Sequence, residues 1–249
     1  AVWAPQHVTT AAADVVLSLV DKVHRAKNSN LKPGEKPQAV HLGMGAGFAT
    51  MLVAQRLAQR IYSDVECPPL VLHALSAGGF MVNDPQKAPV TYFSYFSESL
   101  TKVDYVALFS ETVVNSADYE RTVHSPSIRR SFERRHEIDI IITSLATADH
   151  EHGLLNSFLT HLVDESVLDA SVLKTMHEAG WCGDVQFRPY SETGPLTEEC
   201  PVRAVTLFEL EELVEMAKQE NKYIVLVGGP CGECGASKKD AIIPLLAQE

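Results

Sequence analysis

The sequence lacks the features of several common protein classes. Its five cysteines are too few and too widely spaced in 249 residues for a disulfide framework. No apolar run reaches the length of about 18 residues that spans a membrane, and the first ten residues do not resemble a signal peptide. Basic residues are scarce, since the formal charge is −11, and DNA affinity depends on neutralised phosphates. We therefore expect a cytoplasmic chain without a membrane partner or a nucleic-acid surface of its own.

Two frequent catalytic signatures are also missing. The chain contains neither a G-x-S-x-G nucleophile elbow nor a G-x-x-x-x-G-K-[ST] phosphate loop. A conventional serine hydrolase and a P-loop nucleotidase are therefore not predicted. The absence of a clear catalytic constellation is consistent with a protein that binds its ligand without transforming it.

The most informative stretch covers residues 39–60 and reads AVHLGMGAGFATMLVAQRLAQR. A short apolar run meets the alternating glycines Gly43, Gly45 and Gly47, and Thr50 then opens an amphipathic segment. This order predicts a strand, a glycine loop and a helix. Glycine lets the backbone approach a ligand closely, and the N-terminus of a helix favours an anion such as phosphate. We therefore expect an anion site at this loop.

The same strand–loop–helix unit recurs along the chain. Strands are predicted at 70–75, 105–109, 138–142, 204–207 and 223–227, with helical patterns between them, whereas 185–190 is interpreted as an excursion from the sheet. This alternation predicts one domain over residues 1–249, an α/β fold with a Rossmann-like, doubly wound and mostly parallel sheet covered by helices on both faces. Ligands of such sheets bind beyond the carboxyl ends of the strands. The candidate loops are 43–50, 76–79, 110–115, 143–152 and 228–237.

The glycine loop does not fit a dinucleotide cofactor. The G-x-G-x-x-G fingerprint needs a glycine where Phe48 stands, and Ser76 occupies the place of the acidic residue that should end the second strand. No cofactor is therefore expected. Two interpretations remain: the glycines capture a phosphate or carboxylate, or they serve only a tight turn and close helix packing.

The cluster Asp149-His150-Glu151-His152 brings acid–base side chains to the end of a predicted strand. Adjacent residues on an extended loop cannot all face one point, and the H-E-x-x-H spacing of a helical metal site is absent. The cluster is a candidate for proton transfer to a sugar ring. The alternative is a solvated polar loop.

The pair Cys231 and Cys234 forms a C-x-x-C motif near the C-terminus. Two thiolates are not enough for structural zinc, which needs four ligands, and the other cysteines stand apart in sequence, so no metal site is expected. A redox pair and plain loop residues beside glycines are the other interpretations. Lys238 and Lys239 start the last predicted helix, where a cation opposes the helix dipole, so a bound anion would favour one of them as a phosphate ligand.

Taken in order, several segments resemble the effector-binding domain of SorC/DeoR-type bacterial transcriptional regulators that respond to sugars. The matching segments are HLGMGAGFAT, LSAGG, EIDIIITSLAT, AGWCGDVQF, RAVTLFEL and YIVLVGG followed by KKDAI. The resemblance implies a Rossmann-like fold related to ribose-5-phosphate isomerase and glucosamine-6-phosphate deaminase. It also implies a phosphorylated sugar bound at the strand ends, and homodimers or tetramers. No helix-turn-helix pattern precedes the domain, so DNA is expected to be contacted only through a separate domain.

The resemblance also implies a set of ligand-binding residues. Those for the phosphate are Gly45, Gly47 and Thr50 in the first loop, Gly78 and Gly79 in the second, and Lys238; those for the sugar hydroxyls are Ser110, Glu111 and Asp184. The first hypothesis is thus a sugar-phosphate-binding effector domain without enzymatic activity. One alternative is an isomerase- or deaminase-like enzyme that uses Asp149, His150 or Glu151. The other is a structural or redox domain that uses Cys231 and Cys234.

Overall fold

The computed structural model describes residues 4–62, 64, 66–78, 85–99, 102–150, 152–231 and 234–247. The helices of this part are α1 (Ala4–Lys27), α2 (Phe48–Ile61), α3 (Pro89–Tyr92), α4 (Tyr119–Val123), α5 (Pro126–Glu133), α6 (Leu154–Asp164), α7 (Ser171–Glu178), α8 (Leu210–Ala217) and α9 (Lys239–Leu246). Its strands are β1 (Val40–Met44), β2 (Leu70–Ala74), β3 (Val103–Val106), β4 (Val113–Asn115), β5 (Ile140–Thr147), β6 (Gly183–Val185), β7 (Arg188–Ser191), β8 (Gly194–Pro195), β9 (Val202–Ala204) and β10 (Tyr223–Val227). Short 3-10 helices lie at Pro85–Lys87, Phe93–Phe96, Ser116–Asp118 and Arg135–Glu137. Over these residues, no helix combines the length and the apolar character that crossing a membrane requires.

Five parallel strands form the centre of the sheet, in the order β3-β2-β1-β5-β10. Numbered among themselves along the chain, these strands follow the order 3-2-1-4-5 of a doubly wound sheet. The register places Leu42 of β1 between Leu72 of β2 and Ile140 of β5. The winding reverses between β1 and β5, and this reversal creates a crevice at the carboxyl ends of the two strands.

Helices cover both faces of the sheet because the central strands are apolar on both sides. On β5, Ile140 and Ile142 belong to a buried cluster that includes residues of α1 and α2. The intervening Ile141 belongs to a second cluster with residues of α5, α8 and α9. All three isoleucines are fully buried. The predicted α/β class, with a mostly parallel sheet between two layers of helices, is confirmed.

The segment predicted as an excursion instead extends the main sheet. β5 is eight residues long and continues past its pairing with β10, which ends at Ser144. Its last residues pair antiparallel with β6, Leu145 beside Val185 and Thr147 beside Gly183. β7 and β8 then add two further antiparallel strands. The prediction for 185–190 was wrong because the extra length of β5 leaves an edge that the hairpin covers.

Two other segments also differ from the sequence-based expectation. The predicted polar loop 110–115 contains β4, and the predicted strand 204–207 is shifted towards β9. These two strands pair antiparallel in a separate two-stranded sheet, with Val113 beside Ala204. Glu209 anchors this sheet, because its carboxylate accepts hydrogen bonds from Arg188 on β7 at 2.9 Å and from Arg203 on β9 at 2.7 Å.

Candidate functional site

A cavity of about 370 Å³ opens at the carboxyl ends of β1, β5 and β10. Residues 46–49 after β1, residues 144–146 of β5 and residues 229–231 after β10 form three of its sides. The turn between β6 and β7 and the loop before α6 complete the wall. The cavity lies where the winding of the sheet reverses, which is the usual ligand position in open α/β sheets.

The loop after β1 is tightly packed, and this explains its glycines. A Cβ atom on Gly45 would stand 2.6 Å from the Thr143 hydroxyl oxygen of β5. Gly47 has a φ of 115°, which side chains of L-residues rarely adopt. Because Gly47 is also the N-cap of α2, no side chain caps this helix. The backbone at the start of α2 therefore lies at the cavity without a capping group in between.

The first turn of α2 offers unpaired donors. Within the described residues, the backbone N–H groups of Phe48, Ala49 and Thr50 donate no hydrogen bond. Phe48 and Ala49 line the cavity together with Gly47. Unpaired N–H groups and the positive end of the helix dipole together favour an anion at this position.

Two lysines contribute positive charge to the cavity wall. Lys87 ends a 3-10 helix, and its carbonyl accepts hydrogen bonds from the Gly47 N–H at 3.0 Å and the Tyr92 hydroxyl at 2.6 Å. These bonds fix Lys87 beside the start of α2. Lys238 directly precedes α9, and its ammonium donates a hydrogen bond to the Leu145 carbonyl at 2.6 Å. Of the two adjacent lysines in the sequence, Lys238 lines the cavity and Lys239 is exposed to solvent.

Asp184 provides the acidic group of the cavity. It lies on β6 with only 5% of its surface exposed, and burial raises the pKa of its carboxyl group to about 7. The nearby Lys238 ammonium and a hydrogen bond from the Phe187 N–H oppose this rise. Burial in turn lowers the pKa of Lys238, and the charge of Asp184 acts against that shift. The carboxyl group of Asp184 and the amino group of Lys238, which can carry opposite charges, thus lie near each other at the cavity.

Gln186 occupies the turn between β6 and β7 and also lines the cavity. It has a φ of 52° and Phe187 a φ of 63°, and such positive values at both central positions usually require Asn-Gly. Gln186 is 5% exposed, and neither its amide oxygen nor its amide nitrogen has a hydrogen-bond partner among the described residues. A strained backbone and an unpaired buried amide are both costly, and they are typical of positions that contact a ligand.

The structure brings only some of the predicted ligand-binding residues to the cavity. Gly47, Asp184 and Lys238 line it. Thr50 is fully buried, outside the cavity wall, and its hydroxyl has no partner among the described residues. Gly45 and Gly78 act in packing, since a Cβ on Gly78 would collide with Ala88. Gly79 lies outside the described residues.

Ser110 and Glu111 are not part of the cavity. They line a separate shallow depression with residues of β4 and α4. The residues that follow them form β4, which pairs with β9 in the two-stranded sheet. The predicted position of this loop after a parallel strand is correct, since β3 pairs parallel with β2, but neither residue lines the cavity.

The cluster 149–152 divides between different surroundings. The Asp149 side chain is 92% exposed and lies 3.6 Å from His177. His150 and His152 line the cavity, whereas Glu151 lies outside the described residues. Of the described candidate catalytic side chains, His150 lies at the cavity and Asp149 does not, so these two are not brought together there.

The C-x-x-C motif meets the same two histidines. The Nε2 atom of His150 lies 3.0 Å from the Cys234 sulfur, and the Nδ1 atom of His152 lies 3.9 Å from the Cys231 sulfur. All five cysteines of the chain carry free thiols. The two further ligands that a four-coordinate site with Cys231 and Cys234 would need are therefore offered by His150 and His152, on a loop distant in sequence.

Two cavity residues escaped the sequence analysis. Gln186 stands in AGWCGDVQF two residues after the predicted Asp184, but nothing in the sequence shows that its backbone has a positive φ. Lys87 lies in a polar stretch without periodicity. The one available signal for this turn was the position of Gln186 and Phe187 between two short β-type segments, where a hairpin turn usually has Asn-Gly.

No protein-family model matches the chain, and no curated protein matches its sequence. Solved structures do match. A DeoR-family transcriptional regulator from Listeria monocytogenes is 14% identical, covers 98% of this chain and 80% of its own, and gives a TM-score of 0.63. A domain to which sugar binding is ascribed, from a Vibrio fischeri transcriptional repressor, is 13% identical with coverages of 97% and 80% and a TM-score of 0.62. The full-length sorbitol operon regulator SorC from Klebsiella pneumoniae is 10% identical with coverages of 96% and 72% and a TM-score of 0.57.

These three proteins are described as transcriptional regulators or their domains, not as enzymes. At identities of this size the similarity concerns the fold, and it extends over nearly the whole of this chain. The resemblance noted in the sequence is thereby confirmed at the level of fold. The chain has the fold of the sugar-binding domain of DeoR- and SorC-type transcriptional regulators.

Proposed function

We propose that this chain is the effector-binding domain of a cytoplasmic, sugar-responsive transcriptional regulator and that it binds a phosphorylated sugar in the cavity. DNA would be contacted through a separate domain, and homodimers or tetramers would pass on the signal of ligand binding. The observation that carries the proposal is the buried, unpaired amide of Gln186 at the cavity wall. A sugar hydroxyl both donates and accepts hydrogen bonds, so it satisfies both atoms of this amide.

One end of the cavity is suited to a phosphate. The start of α2 with its unpaired N–H groups and the residues Lys87 and Lys238 line the same cavity. Backbone N–H groups at a helix N-terminus and a lysine are a frequent combination for phosphate binding. The negative charge of a phosphate would also offset the cost of burying Lys238.

The wall formed by β6 and the turn that follows it is suited to hydroxyl groups. Asp184 accepts hydrogen bonds when ionised and donates one when protonated, and a pKa of about 7 makes both forms available near neutral pH. Gln186 adds one further acceptor and two donors. The volume of about 370 Å³ is at the lower end of the range for small-molecule sites, which matches a monosaccharide phosphate rather than a nucleotide.

Phosphorus NMR with a panel of pentose and hexose phosphates tests the proposal, with the free sugars compared by calorimetry. We expect broadened or shifted phosphate resonances for one ligand class, no new species, and at least tenfold weaker binding of the corresponding free sugar. The Lys238→Met variant should lose this preference for the phosphorylated form. The Lys239→Met variant removes an exposed neighbour of equal charge and should bind as the native chain does.

Three results would contradict the proposal. Equal binding by both variants would show that the phosphate is held elsewhere. A growing product resonance would show turnover, which is the outcome predicted by the isomerase or deaminase alternative. Unchanged spectra across the whole panel would exclude phosphosugars as the ligand.

A further inference from the structure

Four metal-ligating side chains from two distant loops meet beside the cavity. Each of His150, His152, Cys231 and Cys234 places one ligand atom within 4.8 Å of those of the other three. The loop with the histidines follows β5, and the loop with the cysteines follows β10. Since β5 and β10 are adjacent and parallel, both loops emerge at the same edge of the sheet.

The histidine loop presents its two rings to one side. A tight turn is closed by the Gly153 N–H, which donates to the His150 carbonyl at 2.7 Å. A Cβ on Gly153 would stand 3.0 Å from that carbonyl, so a larger residue would crowd the turn. The two imidazole centroids are consequently 5.1 Å apart. The four residues 149–152 do not all face one point, since Asp149 lies against His177, but His150 and His152 converge.

The cysteine loop is closed in the same manner. The Gly235 N–H donates to the Cys231 carbonyl and the Cys231 N–H to the Ala236 carbonyl, both at 2.9 Å. Gly235 has a φ of 74°, which glycine adopts without strain. These bonds hold the two sulfur atoms within 4.8 Å of each other.

The observed distances are close to those of tetrahedral zinc. With Zn–S near 2.3 Å and Zn–N near 2.0 Å, neighbouring ligand atoms stand roughly 3.3 to 3.8 Å apart. The His150–Cys234 and His152–Cys231 distances are 3.0 and 3.9 Å. These two distances differ from the tetrahedral values by less than about 1 Å, and the remaining pairs of ligand atoms lie within 4.8 Å of each other.

We propose that His150, His152, Cys231 and Cys234 form a Cys₂His₂ site for Zn²⁺. Binding would deprotonate both thiols and release their protons to solvent, so two thiolates would balance the charge of the ion. Thiolate and imidazole ligands favour zinc over Mg²⁺ and Ca²⁺, which prefer oxygen ligands. Four protein ligands leave no open position, as in structural zinc sites.

A second group of candidate ligands in the described residues does not compete with this assignment. His41, His73 and Glu137 also lie within 4.8 Å of one another. There, however, the His41 Nδ1 and His73 Nε2 atoms share a hydrogen bond at 2.9 Å, and Arg134 donates to both carboxylate oxygens of Glu137. The Glu137 carboxylate is thus engaged by Arg134, and the group offers three candidate ligands and no sulfur.

The zinc ion would crosslink two walls of the cavity. His150, His152 and Cys231 line it, and the cysteine loop leads directly to Lys238. Metal binding would thus restrain the loop that positions this lysine. This consequence rests on the proposed function, but the metal site itself does not.

Cobalt and zinc titrations of the metal-free, reduced full-length chain test the site. We expect one equivalent of Co²⁺ to give the intense visible bands of tetrahedral cobalt and the thiolate-to-cobalt charge-transfer band. Zn²⁺ should displace the cobalt stoichiometrically and protect both thiols from alkylation. The Cys234→Ser and His152→Asn variants should each weaken zinc binding by more than about 100-fold, because the loss even of groups that only support a ligand costs 10- to 100-fold.

The Cys67→Ser variant is the matched control, because its thiol lies outside the cluster, and it should bind zinc normally. Circular dichroism of the metal-free variants verifies that each is folded. Weak, octahedral cobalt absorption without a thiolate band would overturn the proposal. Equal zinc affinity of the native chain and the His152→Asn variant would overturn it as well. Neither result bears on phosphosugar binding, which is measured separately by phosphorus NMR.

Discussion

The carboxylate of Asp184 accepts a hydrogen bond from the backbone N–H of Phe187, three residues further along the chain. The bond spans the hairpin turn in which Gln186 and Phe187 both have positive φ. Asp184 therefore supports a strained turn as well as facing the cavity. Asp184 thus holds the turn that carries the unpaired amide of Gln186, although its own carboxyl group is costly to ionise because it is buried.

Replacing Asp184 by Asn should stabilise the fold at high pH. Burial raises the pKa of Asp184 from 3.8 to about 7, so its contribution to stability is complete below about pH 4 and is lost as the pH rises through 7. We expect the variant to exceed the native chain by about 3 kcal/mol in the free energy of unfolding above about pH 8. Urea denaturation between about pH 4 and pH 8 measures the difference in the free energy of unfolding between the variant and the native chain. This difference should become smaller as the pH falls. A gap that widens towards acid would refute the assigned pKa.

Replacing Gln186 by Gly should trade ligand affinity for stability. Glycine adopts a φ of 52° without strain and removes the unpaired amide, so we expect a gain of about 1 kcal/mol in the free energy of unfolding. Phosphosugar affinity should fall by about tenfold or more. The control is Ser166→Gly, which relieves a φ of 58° at an exposed position. Its stability should rise similarly, whereas calorimetry should show unchanged affinity.

His73 should make the fold sensitive to acid. It is fully buried on β2, and burial, reinforced by His41, lowers its pKa to about 3. The unfolded chain therefore takes up the proton first, so the stabilising contribution of His73 is complete above about pH 6.5 and declines as the pH falls. We expect a loss of about 2 kcal/mol at about pH 5. The carboxylate of Glu137, which faces His41 at 3.4 Å, acts in the opposite direction and is present in every variant.

Denaturation curves of the native chain and of His73→Gln, recorded from about pH 8 to pH 5, isolate this contribution. The variant should show a shallower decline than the native chain. The exposed His7 of α1 provides the control, since His7→Gln should follow the native curve. Parallel curves for the native chain and His73→Gln would exclude His73 as the cause of acid sensitivity.

Glu209 should be a major contributor to stability. Its carboxylate pairs with the buried Arg188 and with Arg203, and it caps α8 in a capping box with Glu212. Glu209→Gln would leave two guanidinium groups without their counter-charge, at a cost of about 3 kcal/mol in the free energy of unfolding. Glu211→Gln removes an exposed charge from the same helical turn and should cost less than about 0.5 kcal/mol. Equal melting temperatures of the two variants would contradict the importance of this network.

Local patterns were sufficient for the central strands and for the first loop. The predicted strand 223–227 coincides with β10, and the glycine loop between 39 and 60 leads into α2 as expected. Apolar residues at consecutive buried positions and glycines before an amphipathic helix are signals that a few neighbouring residues carry. Such patterns also led to Gly47 and Lys238, whereas Asp184 followed from the family resemblance, and the structure places all three at one cavity. Their part in binding stays a prediction.

The alternation of buried strands and amphipathic helices was enough to predict the fold class, because it requires a sheet covered on both faces. The surroundings of the cavity, in contrast, follow from the packing of the folded chain. The length of β5 relative to β10 turned the hairpin into part of the sheet and placed Gln186 at the wall. The same packing brought His150 to Cys234, 84 residues away in sequence. Such contacts depend on strand register and on how loops close, and these follow from packing of the whole chain rather than from any local pattern.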